Sequence, residues 1–135
     1  MKQIILLTAL VLVISLINSS CSKKDGTDST ANYDGVWSGN TSQGKTFSIT
    51  VSNGSITALY IGYSLSGTCS GVPTAKTMTF NIPRPITGNS FSITGSTNIS
   101  GTFSSAVHAT GSFSIDFSGS GGCTSSASGT WTASK

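Results

Sequence analysis

The chain has 135 residues, room for one small domain, with 8% of them charged and a formal net charge of +3. Serine and threonine together number 46 and glycine 16. This composition excludes a coiled coil or charged helical bundle, which need Ala, Glu, Lys, Arg and Leu at helical spacing. Without a basic stripe it also excludes a nucleic-acid surface.

The first predicted element is a secretory signal over residues 1–20. Lys2 supplies the positive start, and Ile4 to Ile17 is an apolar run broken only by Thr8 and Ser15. The run is short for a transmembrane helix, and the small residues Ser19 and Ser20 follow it, directly before Cys21. An ordinary cleaved signal with an incidental cysteine is the plain alternative. The arrangement resembles the lipobox of bacterial lipoproteins, with Asn18 at the position where Leu is usual. The resemblance implies that Cys21 is acylated, becomes the mature N-terminus and takes a membrane as its partner. Two or three acyl chains hold firmly where one binds marginally. Cys21-Ser22-Lys23-Lys24-Asp25 is similar to the start of lipoproteins of the Bacteroidota, which implies the cell envelope, an outer-membrane anchor and export to the surface. Residues 21–32 then form a lipidated cysteine and a polar tether, whose reach is at most roughly 35–40 Å. Asp28-Ser29-Thr30 resembles an O-glycosylation motif of the same bacteria, beside the simpler reading of two solvated hydroxyls.

Residues 33–135 read as a single β-domain. Phe47, Ile49 and Val51 alternate with hydroxyl residues, and so do Leu59, Ile61, Tyr63 and Leu65 with Tyr60, Gly62 and Ser64. Met78, Phe80 and Ile82 follow, then Phe91 and Ile93, then Ile99, Gly101 and Phe103. Phe113, Ile115 and Phe117, and finally Trp131 and Ala133, complete the series. Period-2 alternation puts one set in a core and the other in water. Asn53-Gly54 is the strongest hairpin signal, because a type I′ turn needs positive φ at both central residues. Thr41 to Gly44, Gly88-Asn89 and Gly95 to Asn98 are further turns, and Pro73, Pro83 and Pro85 mark loops or edges. The expectation is an all-β fold of about eight antiparallel strands, an up-and-down barrel or a β-sandwich. Phe-Ser-Ile recurs at Phe47, Phe91 and Phe113 without a constant period, so it is one strand recipe used three times and no solenoid repeat.

Cys69 and Cys123 remain after lipidation, each in a Gly/Ser-rich loop, and in an exported protein an even pair reads as a disulfide. A two-thiol metal site is the alternative; it lacks further ligands, since His108 is the only histidine. Gly35-Val36-Trp37 opens the domain and Gly129-Thr130-Trp131 closes it. A Gly-x-Trp on the first strand resembles the opening of lipocalins and avidins. The resemblance implies an eight-stranded barrel whose first and last strands pair, with Trp37 and Trp131 as closing aromatics. The run from Gly35 to Ala133 also resembles a class of small secreted bacterial β-domains that carries no assigned activity and no functional residues.

Asp34, Asp116 and His108 are the only carboxylates and imidazole after Tyr33, too few for convergent acid–base chemistry. Asp34 reads as a turn cap, Asp116 as a solvated charge on the polar face and His108 as a residue of the loop Ser104 to Ala109. No catalytic residue, cofactor or metal is expected. Tyr63 shares a face with Leu59 and Leu65 and belongs to the core; Tyr60 points the other way and is a ligand-contact candidate. Recognition falls to the loops Ser66 to Lys76, Pro83 to Asn89 and Gly119 to Ser126. The expected function is a lipid-anchored, non-catalytic binding or structural domain contacting a glycan or a protein. The alternatives are a periplasmic inhibitor of lysozyme-type enzymes, anchored in a cleft by Lys76 or Arg84, and a barrel carrier of a small apolar ligand.

Overall fold

A computed structural model of the chain describes residues 31–135. The signal segment, Cys21, residues 22–30 of the tether and the Asp28-Ser29-Thr30 motif lie outside the described residues. The strands are β1 (Gly35–Thr41), β2 (Thr46–Ser52), β3 (Ser55–Gly62), β4 (Ser66–Gly67), β5 (Ala75–Pro85), β6 (Ser90–Ile93), β7 (Thr97–Phe103), β8 (His108–Ser118) and β9 (Thr124–Ser134). A single 3-10 turn, Ser120–Gly122, stands between the last two.

The sheet runs β5-β3-β2-β1-β9-β8-β7-β6, each pair antiparallel. The first and last long strands pair from Ser38↔Ser134 to Thr41↔Trp131. This pairing decides for a nearly closed barrel and against a sandwich, with a seam between β5 and β6 as its opening. Local chemistry sets the order. Asn53 and Gly54 take φ of 51° and 66°, the two positive values a twisted two-residue hairpin needs between β2 and β3. Pro83 and Pro85 sit in β5, the strand with a free edge, where a missing N–H blunts unwanted pairing.

The interior follows the alternation. Trp37, Phe47, Ile49, Ile56, Leu59, Ile61, Ile99, Phe103 and Trp131 are all buried. Full burial of such side chains contributes about 1.5–3 kcal/mol each. The Phe47 ring stacks on Trp131 at 4.2 Å between centroids, and Trp37 meets Phe103 edge-on at 4.9 Å. Tyr63 is buried as expected.

Ile82 is not. Between Ile56↔Arg84 and Ala58↔Thr79 the four residues Phe80 to Pro83 stand opposite the single Thr57. The surplus bulges out of the ladder, breaks the alternation and leaves Ile82 79% exposed. His108 also departs from expectation: it opens β8 opposite Ser134 and is exposed, rather than lying in the preceding loop.

The barrel has two rims. At one, the described chain enters, and the turns 53–54, 86–89 and 104–107 cluster with the end of β9. At the other, the segment 63–74 leaves the wall and returns, its neck closed by Tyr63 N–H donating to the Thr74 carbonyl at 2.8 Å. Within it β4 pairs with the start of β9, at Ser66↔Ser126 and Gly67↔Ser125. The Cys69–Cys123 disulfide locks this crossing, with Cα atoms 5.0 Å apart.

Candidate functional site

The outer wall is built of small hydroxyl side chains in cross-strand rows. Ser90, Thr102, Thr110, Thr132 and Asn40 occupy one row across five strands. A second row runs His108, Ser134, Ser38, Ser48 and Tyr60. Between such rows lie shallow troughs, open to solvent. One of about 450 Å³ follows Gly39, Ala133 and Ala109, and one of about 190 Å³ lies over Ile99 and Phe113.

A third recess, of about 320 Å³, differs in chemistry. It lies at the disulfide rim, where β4, β9 and β8 stand side by side. Register places Ser66, Ser126 and Asp116 in one outward row, with Thr124 and Ser118 in the next. Between them run Gly67, Ser125 and Phe117. Phe117 follows Phe113 and Ile115 on the inward face, but β8 outruns the core there, so the ring is 36% exposed. The groove therefore presents one carboxylate and four outward hydroxyls, with no basic residue in its lining, while the Phe117 ring lies on the other face of β8.

Its floor is fixed from beneath. The buried Ser125 Oγ accepts the Cys69 N–H at 3.1 Å. Thr68 N–H donates to the Thr124 carbonyl at 2.8 Å, and Thr124 N–H to Thr68 Oγ1 at 3.1 Å. Asp116 N–H donates to the Ser96 carbonyl at 3.2 Å. A carboxylate accepts hydrogen bonds from ligand hydroxyls, and serine and threonine both donate and accept.

The residues singled out from sequence do not converge. Tyr60 is 37% exposed on the wall, paired with Ser48 and Thr77. Lys76 shares the inward face with its partner Ile61, and its Nζ donates across the seam to Oγ1 of the buried Thr97 at 2.7 Å. It is not the tip of a protruding loop. Arg84 flanks the bulge, its guanidinium 5.5 Å from the Phe80 ring. Trp37 lies towards the entry rim, its Nε1 donating to the Tyr33 carbonyl at 2.8 Å. Trp131 lies deeper, against Gly101 and Gly111, and its buried Nε1 has no partner. The three loops expected to carry recognition are partly strand: β4 and the start of β5, the end of β5, and the start of β9. Two of them, joined by the disulfide, border the groove. Nothing local in the sequence marks Asp116 as part of a groove; the cysteine pairing carries the one available signal. Among the described residues no cluster of three His, Cys, Asp or Glu is placed to hold a metal.

No protein-family model, curated protein or solved structure matches this chain.

Proposed function

We propose that this chain is a lipid-anchored, non-catalytic domain of the cell envelope that contacts an uncharged glycan through the groove at its disulfide rim. The observation that carries the reading is the outward Asp116 carboxylate in an open, hydroxyl-lined recess with no cation in its lining. The open, shallow shape suits a polymer passing across it better than a small molecule enclosed by it.

The non-catalytic reading is supported by the separation of the titratable groups. The Asp34 carboxylate is engaged by two backbone amides at the entry rim, while Asp116 stands at the other. The inward course of Lys76 weighs against cleft insertion by that residue, and the aromatic filling of the barrel weighs against an apolar cargo. Anchoring rests on the apolar segment and Cys21.

The test is a binding screen of the full chain against neutral and charged polysaccharides, followed by titration of any ligand found. Asp116→Ala is expected to weaken binding tenfold or more, since a hydrogen bond to a charged group contributes about 1.5–3 kcal/mol. Tyr60→Ala should leave it unchanged. Binding that survives Asp116→Ala and fails in Tyr60→Ala would move the site to the wall.

A further inference from the structure

Five large apolar side chains are exposed among the described residues, and three of them share one rim. Val36, 62% exposed, is the second residue of β1. Ile82, 79% exposed, stands in the β5 bulge two residues before Arg84, which pairs with Ile56 at the start of β3. Val107, 45% exposed, lies in the turn between β7 and β8, and its carbonyl accepts the Lys135 N–H at 3.4 Å. Single exposed apolar residues are ordinary, but three spaced round one rim of a hydroxyl-covered barrel give that end an apolar character the rest of the wall lacks.

The same rim is where the chain enters. Lys135 Nζ donates to the carbonyls of Asn32 at 3.1 Å and Asp34 at 2.7 Å. The Asp34 carboxylate accepts the N–H groups of Asn53 at 3.1 Å and Gly54 at 3.0 Å. Tyr33 stacks on Phe103 at 4.4 Å. The preceding 30 residues thus join a point clasped from both sides, amid the exposed valines and beside the bulge.

We propose that this rim is a membrane-contact face, on which Ile82, Val36 and Val107 meet the lipid surface and Arg84 reaches its phosphates. The proposal rests on the anchored reading above. A tether ending at the rim keeps the local concentration of bilayer high, so a weak apolar contact suffices. Asp34 offsets one of the two positive charges of Arg84 and Lys135, so the contact is mainly apolar in character and persists in high salt. One consequence is orientation. With the entry rim on the lipid, the groove at the disulfide rim points away from it, at roughly 25 Å given strand rise and barrel tilt.

The test uses the full chain in phosphatidylcholine vesicles whose acyl chains carry bromine, a quencher of tryptophan emission. Ile82→Trp and Thr94→Trp place a reporter at the entry rim and the opposite rim, both at exposed positions that spare the core. The expected result is loss of at least half of the added emission for Ile82→Trp and less than a tenth for Thr94→Trp, at 0.1 M and 1 M salt alike. Equal quenching at both positions, or none at 82 in a chain that floats with the vesicles, would overturn the proposal. Cys21→Ala separates the two readings. Retention of that variant with quenching at 82 would overturn the acyl anchor and leave the contact face standing. A native chain that does not float overturns both.

Discussion

Gly111 stands directly opposite Trp131 across the β8–β9 ladder, and the indole lies where a side chain at position 111 would go. A Cβ there would run into the Ser100 carbonyl oxygen of β7 and fall 2.5 Å from the indole Cε2, and one at Gly101 would meet the same indole and fall 2.7 Å from the Phe91 ring. The largest side chain of the last strand is admitted to the barrel by two glycines on the next two strands, β8 and β7. Gly111→Ala and Gly101→Ala are therefore expected to destabilise by about 1–3 kcal/mol each, the usual cost of overpacking. Chemical denaturation followed by tryptophan emission checks this; unchanged midpoints would mean that both the indole and the β7–β8 backbone give way at little cost.

Reduction of Cys69–Cys123 is expected to lower the melting temperature by about 10 °C or more. The bridge closes a loop with a sequence separation of 54, for which chain entropy gives about 4 kcal/mol. Calorimetry with and without reductant measures it. The same reduction should abolish groove binding before it unfolds the barrel, because β4 is held to β9 by two residue pairs and the bridge.

Burial raises the Tyr63 phenol above its ordinary pKa of 10.0. A group whose pKa is higher folded than unfolded contributes its stability fully below the unfolded value and loses it as pH rises through the folded one. Unfolding free energy should therefore fall above pH 10.0, and fall less in Tyr63→Phe. Denaturation series at pH 8 and pH 11 give the comparison, and equal losses in both proteins would assign the alkaline instability elsewhere.

Asp34 fixes the Asn53-Gly54 turn from outside its own strand, through two backbone amides. Asp34→Ala should cost about 1 kcal/mol and Asp34→Asn less, since asparagine keeps one acceptor. Hydrogen exchange at Asn53 and Gly54 should rise in the alanine variant.

Much of this architecture is legible locally. Alternation in Phe47 to Val51 and in Phe113 to Ile115 marks buried faces, and Asn53-Gly54 marks its turn. What is not legible depends on a partner strand. Met78, Phe80 and Ile82 alternate in sequence, but β3 offers only Thr57 opposite four residues, and Ile82 is expelled. Lys76 lies two residues before Met78 and so shares its face, a relation hidden when the segment is read as loop. The groove is least legible of all. It exists because a disulfide draws β4 onto β9 beside Asp116, from segments more than 50 residues apart in the chain.

The central claim is that the groove around Asp116 binds an uncharged glycan at the disulfide rim. The most direct test is titration of the full chain and of its Asp116→Ala variant with neutral polysaccharides of the cell surface and its surroundings. The account predicts saturable binding by the native chain and a tenfold or greater loss in the variant, with an unchanged melting temperature. Equal binding by the two proteins, or no binding to any neutral glycan, would contradict it.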